Sequence, residues 1–265
     1  MPAEFVLHLV LAALFGLLIG SFLNVCIYRL PRDLSVVMPR SFCPECGKPI
    51  AARDNIPLFS YLLLRGRCRD CSQPIGWRYP VVEFSTAVLF ATIVARYGWS
   101  AASLRWMLFE ALLMALFWTD LEERILPDEL TLGGILAGAA FAVFTTTPGV
   151  MGELLLPQRK AYWRSLAESG IGGICLAAPT WLLAFTYSYF RNREMLGFGD
   201  VKLLMLIGIF LGLENGLLAL LIGAVSGSVL GIAYIYFAGK KAADYELPFG
   251  SFLCAGAALV PLFMK

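Results

Sequence analysis

Charge is scarce in this sequence. Asp, Glu, Lys and Arg make up 15% of its 265 residues while 59% are hydrophobic, which excludes an ordinary water-soluble globular domain. Histidine is scarcer still. His8 is the only one, at the outer end of the first apolar stretch, so no Ser-His or Cys-His nucleophilic pair can form. Positive charge is missing from Met1 to Phe5, no small-residue cleavage site follows, and the chain leaves the stretch through Tyr28, Arg29, Pro31 and Arg32. A permanent span is therefore expected there rather than a removed signal peptide. No internal repeat, low-complexity tract or strand-linked glycine fingerprint for a nucleotide stands out.

What the sequence has in plenty is long apolar runs. A helix needs about 20 apolar residues to cross the ~30 Å hydrocarbon core, and eight windows qualify: 4–26, 80–97, 102–119, 129–147, 169–190, 201–214, 215–238 and 248–264. The expected fold is an all-α integral membrane protein of about eight transmembrane helices, the sixth being short. Residues 1–28 form the first span, 29–79 a small soluble domain stapled by zinc, and 80–265 a polytopic domain of about seven spans. Gly133, Gly134 and Gly138 are expected to serve close helix packing. The polar stretch Thr145 to Ser169 reads as an outward loop.

Lys and Arg in short loops are retained on the cytoplasmic side. Residues 29–80 hold nine of the 21, and Arg124, Arg191, Arg193, Lys202, Lys240 and Lys241 fall on the same side if the spans alternate. Arg96, Arg105, Arg159, Lys160, Arg164 and Lys265 fall on the other. Both termini are thus expected outside and the soluble domain in the cytoplasm.

That domain carries Cys43-Pro-Glu-Cys46 and Cys68-Arg-Asp-Cys71, two CxxC pairs with 21 residues between them. The spacing suits two knuckles converging on one tetrahedral zinc. Disulfides are the competing reading, but these thiols are expected on the reducing side of the membrane. Four protein ligands close the coordination shell, so the metal is structural, and it supplies folding free energy that so short a segment cannot gain from its core. Nine basic and four acidic residues leave the segment positive, and two negative charges from a four-thiolate zinc site keep it so, which fits anionic lipid headgroups. Cys26, Cys175 and Cys254 read as small core residues.

Carboxylates at span ends are the remaining chemistry. Asp120 closes the third span and Asp200, within Gly197-Phe-Gly-Asp200, opens the sixth, so both sit at the same depth on one side although 80 residues apart. Two close carboxylates do not both ionise readily, so one keeps a proton while the other activates water. The glycines at 197 and 199 permit close backbone approach to Asp200. From residues alone, Asp200 equally reads as a helix cap and Asp120 as an interfacial charge beside Glu122 and Glu123. Asp128 reads as the N-cap of the fourth span. Glu83 and Glu110, inside spans, are expected to face the bundle interior.

These motifs resemble those of the bifunctional type IV prepilin peptidases. The likeness runs through Gly20-Ser-Phe-Leu-Asn-Val-Cys-Ile-Tyr-Arg-Leu-Pro31, Asp54-Asn-Ile-Pro57, Leu64-Arg-Gly-Arg-Cys68, Trp77-Arg-Tyr-Pro-Val-Val-Glu83, Leu126-Pro-Asp-Glu-Leu-Thr131, Gly197-Phe-Gly-Asp-Val-Lys202 and Pro248-Phe-Gly250. The resemblance implies that Asp120 and Asp200 are the catalytic pair of a GxGD-type membrane aspartic protease in the bacterial inner membrane. It implies prepilins or pseudopilins as substrates, cut after a leader glycine, and N-methylation of the new terminus with S-adenosylmethionine, whose binding residues the sequence does not assign. Two other classes compete. An ion transporter would use Asp120, Asp200, Glu83 and Glu110 as its pathway, but such a path needs ionisable groups spread through the bilayer depth. A third reading makes the cysteine segment a nucleic-acid or protein docking site on a membrane anchor; its charge is modest for nucleic acid, and no nucleic-acid partner is expected. Oligomeric state is not legible.

Overall fold

A computed structural model describes residues 3–191, 197–238 and 247–263. Arg193, Lys240, Lys241 and Lys265, used above for orientation, lie outside the described residues. Among the described residues the chain is helical, with two isolated β-bridges and no strand. The helices are α1 (Ala3–Arg29), α2 (Phe59–Leu63), α3 (Arg78–Tyr97), α4 (Ala101–Glu123), α5 (Asp128–Phe144), α6 (Met151–Leu155), α7 (Ala161–Arg191), α8 (Phe198–Ala238) and α9 (Phe249–Phe263). Five of them, α1, α3, α4, α7 and α8, are long and apolar enough to cross a membrane. At 17 and 15 residues, α5 and α9 are shorter, and the sixth and seventh windows fall together on α8. The chain divides into two compact units, residues 1–115 and 116–265, with the boundary inside α4.

In the first unit α1 lies directly on α3. A Cβ at Gly16 would stand 2.6 Å from the Ala87 Cα and one at Gly20 2.7 Å from the Glu83 Cα, so only hydrogen fits at this crossing. The other side of α1 presents Leu7, Leu11, Leu14 and Leu18 outward, as lipid contact requires. Arg29 is buried: it donates to the Ser35 and Pro39 carbonyls at 2.8 and 2.7 Å and so holds the start of the segment that follows α1.

In the second unit α7 and α8 cross where a Cβ on Gly172 would meet the Gly208 carbonyl at 2.5 Å. Gly138 of α5 lies against Phe210, and Gly134 is buried, but Gly133 has open space around it. Only part of that glycine cluster therefore packs: 133 lies one residue from the buried face that 134 and 138 share, four apart.

Backbone geometry breaks α8 at Gly212 (φ 74°, ψ −176°). This conformation belongs to glycine, and a Cβ there would also strike the Pro148 carbonyl at 2.4 Å. The amide freed by the break, Leu213 N, donates to Glu168 Oε1 at 3.1 Å, and Glu168 Oε2 takes Gly152 N at 2.8 Å. Buried backbone groups at membrane depth need such partners. The polar stretch expected as a loop thus contains α6 and the start of α7. Its hydroxyls are joined as well, Thr147 Oγ1 lying 2.9 Å from Ser165 Oγ and 2.8 Å from Ser169 Oγ.

Candidate functional site

Asp120 lies in the last turn of α4 and is buried. Its Oδ2 accepts from the Ser251 amide at 2.6 Å and from the Ser251 hydroxyl at 2.7 Å, and that hydroxyl also reaches the Phe117 carbonyl at 3.0 Å. Ser251 is the third residue of α9. Its amide precedes the first intrahelical bond, which Phe252 N makes to the Pro248 carbonyl at 3.4 Å. Asp120 therefore occupies the place where a helix N-terminus leaves donors unsatisfied and favours negative charge.

Gly250 makes this seat possible. A Cβ on it would stand 3.1 Å from the Asp120 Cγ and 3.2 Å from the Leu126 Cδ1, while one on Gly199 would stand 3.1 Å from the Leu126 Cβ. Leu126 therefore lies against both Gly250 beside Asp120 and Gly199 beside Asp200. Gly197, by contrast, has no such neighbour nearer than 4.0 Å. Asp200 is half-buried in the first turn of α8, as its third residue rather than its cap, and its amide donates to the Gly197 carbonyl at 3.1 Å. Leu126 thus brings the two aspartate-bearing turns together, and Cys254 lies buried one turn further along α9.

Asp128 departs from expectation. Pro127 takes the cap position, without a side-chain cap bond, and Asp128 is the first helical residue of α5. Its exposed carboxylate instead pairs with the Lys202 ammonium, so α5 and α8 are tied together at their starts. Thr131 donates to the Pro127 carbonyl at 3.2 Å. Glu110 is buried, and neither carboxyl oxygen has a hydrogen-bond partner among the described residues. Ser251, which the sequence did not single out, is the residue that holds Asp120. Its only signal was the adjacent Pro248-Phe-Gly250.

In the first unit the Sγ atoms of Cys43, Cys46, Cys68 and Cys71 all lie within 4.8 Å of one another, Cys43 and Cys71 at 3.9 Å. A tetrahedral zinc with Zn–S near 2.3 Å sets its sulfurs about 3.8 Å apart, so the four thiols fit one ion. The knuckles repeat, although no repeat was expected: Ser41–Ile50 and Gly66–Ile75 share the frame Cys-x-x-Cys followed by Pro-Ile. Cys43 N to Lys48 O (2.9 Å), Gly47 N to Cys43 O (2.8 Å) and Ile50 N to Ser41 O (2.8 Å) are matched by Cys68 N to Gln73 O (2.8 Å), Ser72 N to Cys68 O (2.9 Å) and Ile75 N to Gly66 O (2.7 Å). Positive φ at Gly47 and at Ser72 completes the match. Amides of Cys71 and Asp70 aimed at the Cys68 sulfur lower its thiol, while Cys71, crowded by the other three sulfurs, is raised. Of the other cysteines, Cys26 and Cys254 are buried as expected, but Cys175 is exposed on α7.

Two family models match the sequence, the bacterial peptidase A24 N-terminal domain over residues 14–97 and the type IV leader peptidase family over 107–232. A prepilin leader peptidase/N-methyltransferase of Burkholderia pseudomallei (strain 1026b) is 33% identical, the match covering 97% of this chain and 86% of that protein. One of Aeromonas hydrophila is 34% identical over 93% and 88%, and one of Myxococcus xanthus (strain DK1622) 38% over 85% and 62%. No solved structure matches the chain.

Proposed function

Because the chain belongs to the type IV leader peptidase family, we propose that it removes the leader from prepilins or pseudopilins and methylates the new N-terminal amine with S-adenosylmethionine. One observation carries the cleavage chemistry: Asp120 is seated on the α9 N-terminus, and Leu126 packs against both Gly250 next to it and Gly199 next to Asp200. With Oδ2 of Asp120 engaged by Ser251, its Oδ1 is left to address the reaction.

The two aspartates work as an acid and base pair. One carboxylate takes a proton from water as the water oxygen bonds to the scissile carbonyl carbon, and the other carboxyl gives its proton to the carbonyl oxygen. The carbon–nitrogen bond then breaks, and the departing amine takes a proton from the pair. Gly250 and Gly199 keep side-chain bulk away from the carboxylates, where an extended substrate strand must pass. The transporter reading has no support from these three relatives, each of which bears the name of an enzyme.

The chain is a multi-pass membrane protein, and we place it in the inner membrane with the cysteine module and both aspartates facing the cytoplasm, against anionic lipid. Eight crossings are the reading we favour. A straight 41-residue α8 would run about 60 Å, twice the ~30 Å core, so Gly212 divides it into two segments. The 17 residues of α5 reach about 26 Å. Zinc in the four-cysteine cluster holds the module together and leaves no open position for water.

Incubating the purified protein with a prepilin and S-adenosylmethionine and weighing the product tests the activity. Loss of the leader mass and gain of one methyl are expected. An intact prepilin would sink the cleavage reading, and a trimmed but unmethylated product the methyltransferase reading.

A further inference from the structure

In the first unit a cavity of about 500 Å³ opens between the C-terminal end of α1, the start of α3 and the cysteine module. Its size falls in the ~300–1,000 Å³ range of small-molecule sites. Glu83 lines it from the second turn of α3 and is buried. Its Oε2 accepts from the Leu58 amide at 2.7 Å, and the Ser21 side chain also hydrogen-bonds the carboxylate. Leu58 holds φ 58°, ψ −47°, rare for a branched side chain, and this turn aims its amide at the carboxylate.

Asn24 lines the same cavity from α1 and is 2% exposed. Its Nδ2 donates to the carbonyls of Gly20 (3.3 Å) and Tyr79 (3.1 Å). Those two acceptors fix which end of the amide is nitrogen. Oδ1 is left buried without a partner, a cost a fold tolerates when something else supplies the donor. At this end of the cavity a buried carboxylate and an orphan amide oxygen call for a cation with N–H donors, while Arg29, Lys48, Arg53 and Arg69 elsewhere on the lining supply positive charge for a carboxylate. Tyr28, Tyr61 and Tyr79 also line the cavity; Arg32 and Arg78 already cover one face of Tyr28 and of Tyr79, and aromatic rings of this kind suit a flat base.

We propose that this cavity is the binding site for S-adenosylmethionine, with Glu83 and Asn24 receiving its cationic sulfonium and ammonium end and the tyrosines its adenine. The assignment rests on the methyltransferase reading above and supplies the binding residues that the sequence did not.

The test uses full-length protein in lipid nanodiscs. Calorimetry with S-adenosylmethionine and with S-adenosylhomocysteine, which lacks the sulfonium charge, is run on wild type and on Glu83→Gln, whose fold is checked by zinc content and circular dichroism. In parallel, tritiated S-adenosylmethionine is cross-linked to wild type by ultraviolet light and the labelled peptides are mapped. Wild type should bind one donor per chain and take the label within residues 21–83. Glu83→Gln should weaken S-adenosylmethionine about tenfold or more, the scale of a lost charge-assisted contact, and S-adenosylhomocysteine less. Absence of saturable binding to wild type would overturn the methyltransferase reading and the site together. Label confined to residues 116–265, equal affinity in a folded Glu83→Gln, or a trimmed-pilin N-terminus cross-linking in the cavity in place of the donor would leave the methyltransferase reading standing and overturn the site.

Discussion

The cysteine module and the aspartate site hold their reactive side chains in place by different means. In the module, each pair of ligands is positioned by a ten-residue turn whose bonds are all local, and the same turn is built twice, at Ser41–Ile50 and Gly66–Ile75. At the aspartate site, Asp120 is held by Ser251, 131 residues away, and the space around it is set by Gly250 and Leu126. The module should thus come apart when its metal is lost, because little else fixes one knuckle to the other. The aspartate site should survive the loss of any one polar contact as a fold, while losing its chemistry.

Removing the carboxylates gives the largest expected effect. Asp120→Ala and Asp200→Ala, and likewise the Asn replacements, should each reduce leader removal by about 10²–10⁴-fold, the usual contribution of a positioned acid or base, with the protein still folded in the membrane. Near-normal cleavage in any of them would remove that residue from the pair. Asp200→Ala supplied with an already trimmed pilin should still methylate it.

The module answers next. Cys68→Ser with Cys71→Ser should lower zinc from one per chain to none and expose residues 29–79 to protease, with methylation falling more than cleavage. Equal loss of the two activities would erase the contrast between the regions. Acid should release the metal in the wild type, because protons compete with zinc for the four thiolates. Metal content followed by emission spectroscopy across a pH titration checks this.

Ser251 sharpens the comparison on the other side. Ser251→Ala removes the hydroxyl at 2.7 Å but keeps the amide at 2.6 Å, so turnover should fall by about tenfold, the scale of one hydrogen bond to a charged group, with substrate binding little changed. A fall as deep as that of Asp120→Ala would make Ser251 part of the chemistry. The smallest effect belongs to Asp128→Asn. Its pair with Lys202 is largely exposed on the Asp128 side and should contribute less than about 1 kcal/mol, so steady-state kinetics should show near-normal cleavage. Complete loss would move Asp128 into the site.

Glu83 shows why some of this was hidden. Its carboxylate sits in an apolar helix, and nothing nearby in sequence announces Leu58 as its donor, because that contact is made across 25 residues by a turn with unusual φ. Glu168 was missed for the same reason. It satisfies amides at Gly152 and Leu213 that exist as free donors only because α6 begins and α8 breaks where they do. Asp128 was misassigned by one position, since Pro127 rather than Asp128 took the cap.

By itself the sequence determined the helical membrane character, the two cysteine knuckles and the pairing of Asp120 with Asp200 as candidates. The first two rest on composition or on spacing within one element, because hydrophobic run length and the CxxC interval are local quantities, whereas the aspartate pair rests on two span ends 80 residues apart and on the family resemblance. Only the tertiary structure decided that Asp120 sits on the N-terminus of α9, that Glu168 repairs the break at Gly212, and that Glu83 and Asn24 share a cavity. These arrangements depend on how glycine-lined helices approach one another, and residue spacing along the chain does not record which helices meet.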